Sequence, residues 1–331
     1  IDIITEYSSY LVKLIQEKTG LEQPLNDLKI IVDAGNGAGG FFVEHVLIPL
    51  GADTEGSKFL EPDGLFPNHI PNPEDSDAMN SIIYAVKKHQ ADFGIIFDTD
   101  VDRAGAVDKN GIPINRNRFI ALMSSIVLEE YPNTTIVTDS ITSTNLNLWI
   151  KKLGGIHHRF KRGYKNVINE SIRLNNNGIC SELALETSGH GALRENYYLD
   201  DGAYQIAKIL IKIAQMKFLN QGTIDQLIKD FYEPDDAVEF RPKILCSEFS
   251  IYADQILNKF NTYVQSHKVW SLTPNNHEGV HASTPNGWIL MRKSLHDPQI
   301  PINIESSIKG GALSIKNEVL DFLSDFELLE M

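Results

Sequence analysis

The apolar run Phe93-Gly94-Ile95-Ile96-Phe97 is followed directly by Asp98-Thr99-Asp100-Val101-Asp102-Arg103. This run has the length and the β-branched, aromatic character of a buried strand. The acidic residues therefore follow the carboxyl end of that strand, which is the edge where open α/β sheets bind their ligands. The stretch predicts a ligand site at this edge.

The alternating aspartates of this stretch predict a cation site. The carboxylates of Asp98, Asp100 and Asp102 converge, and protonation or a bound cation relieves their repulsion at neutral pH. All-oxygen ligands suit Mg²⁺, Mn²⁺ or Ca²⁺, and we predict one Mg²⁺ ion, with Arg103 offering donors to a phosphate beside it. A calcium EF-hand is excluded because Arg103 and Lys109 occupy its glycine and glutamate positions. The alternative is a solvated acidic turn that caps a helix.

Length and composition are typical of a multidomain globular protein. The 331 residues suffice for two or three domains, and the formal net charge of −14 argues against a nucleic-acid partner. No segment approaches the roughly 18 unbroken apolar residues of a membrane span, so we expect no membrane partner. Cys180 and Cys246 are the only cysteines and lack metal-ligand spacing, which favours a reducing, cytoplasmic location, although a single disulfide stays open.

Strand and helix patterns alternate along much of the chain. Strand-like runs at 29–32, 93–97 and 135–138 alternate with helical patterns such as 81–89 and 118–130. This alternation predicts the α/β class, in which helices cover the sheets.

Turn-rich segments at 113–116 and 233–236 divide the chain into three predicted domains. The second of these segments follows helical patterns at 203–216 and 224–231. The last part of the chain predicts a small α+β domain, because it has one helical pattern and two short strands. The predicted domains are 1–113, 114–234 and 235–331, and the last contains the helix 250–264 and the strands 287–291 and 300–305.

A glycine-rich segment follows the first strand. Gly35, Gly37 and Gly40 match the dinucleotide fingerprint, and Glu55 lies about 20 residues further on. A long proline-rich loop over 61–73 departs from that fold, where a nucleotide-binding unit moves quickly to its next helix. The segment therefore favours a tight strand-to-helix turn with close backbone packing, and an NAD(P)-dependent dehydrogenase is kept as an alternative function.

A second polar motif reads Glu186-Thr187-Ser188-Gly189-His190. In an extended loop, the side chains of Glu186, Ser188 and His190 would project to one side. Carboxylates and hydroxyls of this kind bind sugar hydroxyls, and His190 is a candidate proton carrier because histidine titrates near neutral pH. The alternative is a hydrogen-bonded turn with a structural His190. Asp200-Asp201-Gly202 predicts the N-cap of a helix that begins at Ala203.

Two short basic clusters stand out in this acidic chain, Arg162-Gly163-Tyr164-Lys165 and Arg292-Lys293-Ser294. Either cluster could hold a phosphate through charge-assisted hydrogen bonds. A solvated surface is an equally good interpretation of each cluster.

Taken in this order, the motifs resemble the α-D-phosphohexomutase family, which includes phosphoglucomutases, phosphomannomutases and phosphoglucosamine mutases. The resemblance covers essentially the whole chain. Residues 33–40 and 62–74 resemble the opening and the characteristic loop of the family's second domain. The aspartate stretch resembles its metal loop, usually Asp-Gly-Asp-x-Asp-Arg, with Thr99 in place of the glycine. The resemblance implies that the predicted domains are the family's second, third and fourth.

The later motifs extend the resemblance. Residues 186–190 are similar to the sugar-recognition loop, and residues 163–165 are similar to the Gly-x-Lys loop that carries Lys165. Residues 287–294 match the approach to the phosphate loop, from which Arg292 and Ser294 are carried over. The sequence then departs from the family pattern, because Leu295-His296-Asp297-Pro298 replaces x-Thr-Glu-Pro.

The resemblance implies a phosphohexomutase that interconverts hexose 1-phosphate and hexose 6-phosphate through a phosphoserine enzyme and a bisphosphate intermediate. It implies that the three aspartates hold Mg²⁺, that Arg103 stabilises the transferring group and that His190 moves a proton. It further implies substrate-binding roles for a set of residues, which are Lys165, Glu186, Ser188, Arg292 and Ser294. A hexose bisphosphate would act as intermediate and activator.

The serine-bearing first domain of the family has no counterpart in the sequence, which has no Ser-His-Asn-Pro motif. The chain also lacks an initiator methionine and begins within an amphipathic helical pattern from Ile4 to Ile15. We therefore expect a fragment that needs the missing N-terminal domain as a partner and is inactive alone. The alternative is a non-catalytic sugar-phosphate-binding protein derived from the mutases.

Overall fold

The computed structural model describes residues 2–294 and 297–331. The chain divides into two compact units. We call them unit 1 and unit 2, and each is described by itself. Unit 1 comprises Ile1–Asp139, Leu146–His158 and Gly163–Tyr232, and unit 2 comprises Ser140–Asn145, Arg159–Arg162 and Glu233–Met331.

The first sheet of unit 1 contains the strand that precedes the aspartates. Its strands are β1 (Ile30–Asp33), β2 (Phe93–Phe97), β3 (Ala104–Asp108) and β4 (Pro113–Ile114), and its helices are α1 (Ile3–Thr19) and α2 (Ser76–His89). The strand order is β1-β2-β3-β4, with β1 and β2 parallel and the later pairs antiparallel. All five residues of β2 are buried, as its apolar sequence predicts. The aspartate stretch is therefore the turn between β2 and β3.

The second sheet of unit 1 carries the Glu186–His190 motif. Its strands are β5 (Thr135–Thr138), β6 (Ile156–Arg159), β7 (Leu183–Leu185) and β8 (Gly191–Leu193), with helices α3 (Arg116–Glu130), α4 (Thr144–Lys152), α5 (Tyr164–Asn176) and α6 (Gly202–Phe218). The first two residues of α4 and the last residue of β6 belong to unit 2. The strand order is β6-β5-β7-β8, with β5 and β7 parallel and β7 and β8 antiparallel. One hydrophobic cluster contains buried residues of both sheets, including Phe97 and Leu185, together with Phe119 of α3.

Unit 2 is built on an antiparallel sheet. Its elements are β9 (Asp236–Phe240), β10 (Lys243–Ile244), α7 (Phe249–Ser266), β11 (Ser271–Leu272), β12 (Val280–Thr284), β13 (Gly287–Met291), β14 (Ile302–Ser306), α8 (Gly311–Leu323) and β15 (Leu329–Glu330). The main sheet has the order β11-β12-β13-β14-β9, and β10 pairs with β15. One face of the main sheet packs against α7 and α8, where Ile289 and Ile304 share a core with Phe260 and Val319.

The α/β class, with two mixed sheets followed by a small α+β part, is confirmed. The strands at 93–97, 135–138 and 287–291 lie where the sequence predicts them. The predicted helix over 224–231 is wrong, because that segment forms only a short 3₁₀ helix at Ile224–Ile228. The strand expected from residue 300 begins at Ile302, which follows a proline that has no N–H to donate to the sheet. Among the described residues, no helix is long and apolar enough to cross a membrane.

Candidate metal and sugar site

Arg103 fixes the shape of the aspartate turn. Its backbone N–H donates to Oδ1 of Asp98 over 3.1 Å, and its Nε donates to Oδ2 of Asp98 over 2.9 Å. Its Nη1 donates to Oδ1 of Asn72 over 3.2 Å. The guanidinium is thus bonded on two sides, and its orientation is set before any ligand arrives.

The three carboxylates of the turn meet at one point. Asp98, Asp100 and Asp102 each offer an oxygen, and these atoms lie within 4.8 Å of one another. Oδ1 of Asp102 is buried and has no hydrogen-bond partner among the described residues. The pKa of Asp102 is raised to about 7, mainly by burial. The charge of His190 lowers this pKa, and the charges of Asp98 and Asp200 raise it. A divalent cation would fill the place of the missing partner and neutralise the crowded charge, so the residues present fit Mg²⁺.

The backbone of the turn is strained at Val101, which has a φ of 71°. A β-branched residue rarely adopts this left-handed conformation, and such strain is held in place by surrounding contacts. Here the carbonyl of Val101 accepts the N–H of Gly202 over 3.0 Å, at the first residue of α6. A Cβ on Gly202 would lie 2.6 Å from the backbone of Arg103, so a larger residue would collide with the turn.

The glycine-rich segment supports the aspartate turn from the other side. The N–H of Ala38 donates to the carbonyl of Thr99 over 2.8 Å. A Cβ on Gly37 would lie 2.7 Å from that same carbonyl oxygen. The segment begins with Gly35 in the left-handed region, at a φ of 55°, as a tight turn requires. Its glycines therefore allow close packing onto the aspartate turn.

The Glu186–His190 motif is a hairpin turn between β7 and β8. The N–H of Glu186 donates to the carbonyl of His190 over 2.8 Å, and Gly189 donates back to Glu186 over 3.1 Å. The expected extended loop is therefore wrong. Gly189 closes the turn because it adopts a φ of 99°, which glycine tolerates and other residues rarely do.

This hairpin turn lies directly against the aspartate turn. Arg103 and His190 form an antiparallel backbone bridge. Nδ1 of His190 lies 3.6 Å from Oδ2 of Asp102 and 2.8 Å from Oδ2 of Asp200. Burial lowers the pKa of His190, but the hydrogen bond and charge of Asp200 and the charge of Asp102 outweigh burial and raise it.

Sequence reasoning missed Asp200 as a site residue. Helix α6 is capped by Asp201, the residue after Asp200, whose carboxylate accepts the N–H of Tyr204 over 2.9 Å. Asp200 instead binds His190 through one oxygen and the N–H of Gly191 through the other, both over 2.8 Å. The signal in the sequence was the second aspartate, because one residue suffices to cap a helix.

The remaining unit 1 residues of the predicted site gather around the hairpin turn. Oε1 of the buried Glu186 accepts the N–H of Gly163 over 2.6 Å, and its Oε2 accepts the hydroxyl of Ser188 over 3.3 Å. The Tyr164 ring stacks on His190 with 4.9 Å between centroids. Lys165 is exposed, with its Nζ 5.8 Å from the centroid of the Tyr164 ring. Glu186 thus connects the hairpin turn to residues 163–165 through its hydrogen bond with Gly163.

Arg292 and Ser294 belong to unit 2. Arg292 follows β13, is 9% exposed, and has an Nε without a hydrogen-bond partner among the described residues. Burial lowers the pKa of Arg292. The hydroxyl of Ser294 accepts the N–H of Asp297 over 3.2 Å. The departure from the family pattern at Leu295 and His296 lies outside the described residues.

Sequence comparisons relate this chain to known proteins. Residues 6–111 match the model of "Phosphoglucomutase/phosphomannomutase, alpha/beta/alpha domain II", and residues 115–234 match domain III of the same family. A phosphomannomutase/phosphoglucomutase of Pseudomonas syringae is 30% identical over 281 residues, which cover 84% of this chain and 57% of the relative. A phosphoglucomutase of Neisseria meningitidis is 28% identical over 318 residues, with 96% and 64% covered.

Solved structures show the same relationship. A phosphoglucomutase/phosphomannomutase family protein of Burkholderia thailandensis aligns with a TM-score of 0.77 and 25% identity, over 95% of this chain and 64% of its own. An Aspergillus fumigatus N-acetylphosphoglucosamine mutase, solved with GlcNAc-6P and magnesium, shares the fold with a TM-score of 0.59 and 13% identity, over 96% of this chain and 65% of its own. The chain thus spans less than two thirds of the length of these relatives. It belongs to the phosphoglucomutase/phosphomannomutase family.

Proposed function

We propose that this chain provides the metal-binding and sugar-binding parts of a phosphohexomutase that interconverts hexose 1-phosphate and hexose 6-phosphate. In this reaction a phosphoserine gives its phosphoryl group to the sugar, and the other phosphate of the resulting bisphosphate returns to the serine. Phosphoryl transfer of this kind depends on positioning and on charge stabilisation. The chain would supply both, and the serine would come from another domain.

One observation carries the proposal, namely the contact between the aspartate turn and the hairpin turn. The Arg103–His190 bridge and the 3.6 Å separation of His190 from Asp102 join two motifs distant in sequence. A phosphoryl-transfer site needs a cation, a cationic side chain and a proton carrier within a few ångströms of one another. This contact supports such an arrangement.

The aspartate turn would hold the phosphoryl group during transfer. Asp98, Asp100 and Asp102 would bind Mg²⁺, which when bound polarises a phosphate and neutralises charge on its oxygens. Arg103 would stabilise charge on the transferring group. Its bonds to Asp98 and Asn72 support this role, because a guanidinium already held in place loses little freedom when a phosphate binds.

The hairpin turn would handle the sugar. Nδ1 of His190 faces Asp200, so Nε2 is the nitrogen that would exchange a proton with a sugar hydroxyl. Glu186 and Ser188 would bind hydroxyls on the sugar ring. Such contacts suit a substrate that must bind in two opposed orientations.

The non-reacting phosphate would need cationic and hydroxyl donors. Lys165 within unit 1, and Arg292 and Ser294 within unit 2, are such donors, and we assign phosphate binding to each of these residues within its own unit. The exposed ammonium of Lys165 and the unpartnered Nε of Arg292 support the assignment, because both are available donors.

The partner would be a serine-bearing domain that docks beside the aspartate turn. An apolar cavity of about 360 Å³ lies there, lined by Ile3, Ile4 and Phe41 together with Asp100 and Asp102. Ile3 is 73% exposed and Ile4 49% exposed, which is unfavourable in water and supports coverage by another domain. Without that domain we expect no mutase turnover. The free cysteines Cys180 and Cys246 support the proposed cytoplasmic location.

The test compares the chain alone with the chain plus the separately produced serine-bearing domain of its parent protein. Each sample receives glucose 1-phosphate, Mg²⁺ and glucose 1,6-bisphosphate, and the formation of glucose 6-phosphate is followed. We expect no turnover from the chain alone and turnover when the domain is added. An Asp100→Asn chain, whose cation site is damaged, should fail to restore activity.

Each other outcome has a clear meaning. Turnover by the chain alone would show that it carries its own nucleophile and that the proposed division of labour is wrong. Binding of hexose phosphates without turnover, even with the serine-bearing domain present, would favour the non-catalytic alternative. Binding of NADH, measured by its fluorescence, would favour the dehydrogenase, and the packing of the glycine-rich segment against Thr99 argues against that result.

A further inference from the structure

The second face of the unit 2 sheet is polar and yet buried. Successive side chains along each strand point to opposite faces of the sheet. Ile289 and Ile304 point to the helices. Trp288 and Glu305, which are paired between β13 and β14, point to the opposite face. His281 on β12 lies on the same polar face. The exposed fractions of His281, Trp288 and Glu305 are only 7%, 5% and 7%. Burial of such groups is costly unless each has a hydrogen-bond partner.

Two short segments of unit 2, Ser140–Asn145 and Arg159–Arg162, contribute to this burial. Ile141 forms a small hydrophobic cluster with Trp288 and Leu290 of β13. The N–H of Thr144 donates to Oε1 of Glu305 over 3.0 Å. Glu305 therefore has a protein partner at the edge of the polar face.

A cavity of about 400 Å³ remains at this face. Two buried polar atoms on its lining, His281 Nε2 and Thr284 Oγ1, have no hydrogen-bond partner among the described residues, and the indole of Trp288 lies beside the carboxyl group of Glu305. A buried polar atom left without a partner is unfavourable, so unpaired groups gathered in one place indicate an occupant. The volume lies within the range of roughly 300–1,000 Å³ that is usual for small-molecule sites.

The charges around the cavity indicate which chemistry the occupant has. Arg159 lines the cavity, but it is engaged with Oγ1 of Thr142 over 3.2 Å and with the carbonyl of Ser143 over 2.6 Å. The carboxyl groups of Asp235 and Glu305 also line the cavity. The lining therefore carries no excess of positive charge, and a phosphate or a carboxylate would meet acidic groups there.

The imidazole of His281 adds no charge at neutral pH. Burial, together with the smaller effect of the Arg159 charge, lowers the pKa of His281 to about 4. Its ring stacks on Trp288 with 5.1 Å between centroids, and its Nδ1 contacts Oγ1 of Thr273 over 2.5 Å. The neutral ring and the indole N–H thus present a mixed set of donors and acceptors.

We propose that this cavity is a ligand site for a small, uncharged, polyhydroxylated molecule, a free hexose rather than a hexose phosphate. A hydroxyl group both donates and accepts, so one sugar can accept from Trp288 Nε1 and bond to either tautomer of His281 and to Thr284. All lining residues of the cavity belong to unit 2. The inference does not rest on the proposed mutase function.

The experiment uses the full 331-residue chain labelled with ¹⁵N and titrated with D-glucose and with D-mannose. The three tryptophans give three indole N–H signals, and a Trp288→Phe variant identifies the signal of Trp288. We expect that signal to shift in a saturable way while the signals of Trp149 and Trp270 stay in place. Thr284→Val keeps the shape but removes a hydroxyl, and should weaken binding about tenfold, the size of one lost hydrogen bond.

Controls make each result decisive. The same substitution at the exposed Thr262 of α7, Thr262→Val, should leave the titration unchanged. Glu186→Gln, in the Glu186–His190 motif of unit 1, should also leave the sugar titration of the Trp288 signal unchanged. This result would separate the cavity of unit 2 from the proposed mutase site. The proposal is overturned if the Trp288 signal does not respond to either sugar, if Thr284→Val binds as well as the parent chain, or if inorganic phosphate produces the same saturable shift.

Discussion

The carboxylate of Asp98 accepts two hydrogen bonds from Arg103, one from its backbone N–H at 3.1 Å and one from its Nε at 2.9 Å. The side chain of Asp98 is 3% exposed and that of Arg103 is 21% exposed. The pair closes the aspartate turn on itself. Arg103 is therefore a structural support of the turn as well as a candidate for contact with a phosphate.

Arg103→Lys should destabilise the chain although it keeps the positive charge. Lysine has no planar fork, so it cannot bond Asp98 and Asn72 together as Arg103 does. We expect the free energy of unfolding to fall by about 1–3 kcal/mol, measured by urea denaturation. Arg194→Lys is the matched control, because Arg194 pairs with Glu182 and is 48% exposed, and it should change stability little. Equal effects of the two substitutions would contradict the supporting role.

Asp102→Asn should have opposite effects on stability and on cation binding. The carboxylate of Asp102 is crowded against those of Asp98 and Asp100, so removal of its charge relieves repulsion in the metal-free chain. We expect this chain to gain about 1 kcal/mol of stability at neutral pH. Added Mg²⁺ or Mn²⁺ should raise the melting temperature of the parent chain but not that of the variant, because a cation stabilises only a fold that binds it.

Asp325→Asn provides the control for this result. Asp325 is exposed in unit 2, and its substitution should alter neither the melting temperature nor the response to cations. Stabilisation of the Asp102→Asn chain by Mg²⁺ to the same extent as the parent chain would exclude Asp102 as a ligand.

Gly37→Ala should disturb the aspartate turn from outside it. The new Cβ would lie 2.7 Å from the carbonyl oxygen of Thr99, which is closer than real contacts allow. We expect a loss of about 1–3 kcal/mol in stability and weaker Mn²⁺ binding, measured by calorimetry. Gly64→Ala is the matched control, since a Cβ there would meet nothing within 4 Å. Unchanged Mn²⁺ binding in the Gly37→Ala chain would show that the glycine-rich segment does not support the metal loop.

Local patterns in the sequence predict the strand and the convergence of the carboxylates, because both depend on neighbouring residues. An apolar run of five residues forms β2, and Asp98, Asp100 and Asp102 follow it at once. For the second motif the sequence left two shapes open, an extended loop and a hydrogen-bonded turn, and Gly189 closes the turn.

Partners that are distant in sequence could not be predicted in this way. Asn72 bonds Arg103 across 31 positions, and the bridge from Arg103 to His190 joins two separate sheets of unit 1. Such pairs depend on how the sheets pack, and no periodic pattern encodes that packing. The grouping of these motifs follows from the resemblance to a known family, whose members carry the same motifs in the same order.

A last prediction concerns the pH dependence of stability. Nε2 of His69 lies 2.9 Å from Oδ1 of Asp33, which is fully buried and also accepts the hydroxyl of Ser81 over 2.6 Å. The hydrogen bond to Asp33 raises the pKa of His69 although burial and Lys58 oppose it. The folded chain therefore binds the proton of His69 more tightly than the unfolded chain does, in which the pKa is about 6.5.

The sign of the effect follows from this difference. The contribution of protonated His69 is complete below a pH of about 6.5 and is lost as the pH rises through the higher pKa of the folded state. We expect the urea midpoint of the parent chain to fall over this range and that of His69→Gln to fall less. His45→Gln, at an exposed position, should keep the parent profile. If His69→Gln also keeps the parent pH profile, proton binding at His69 does not stabilise the fold. In that case Ser81 and Lys58 hold the Asp33 carboxylate without help from His69.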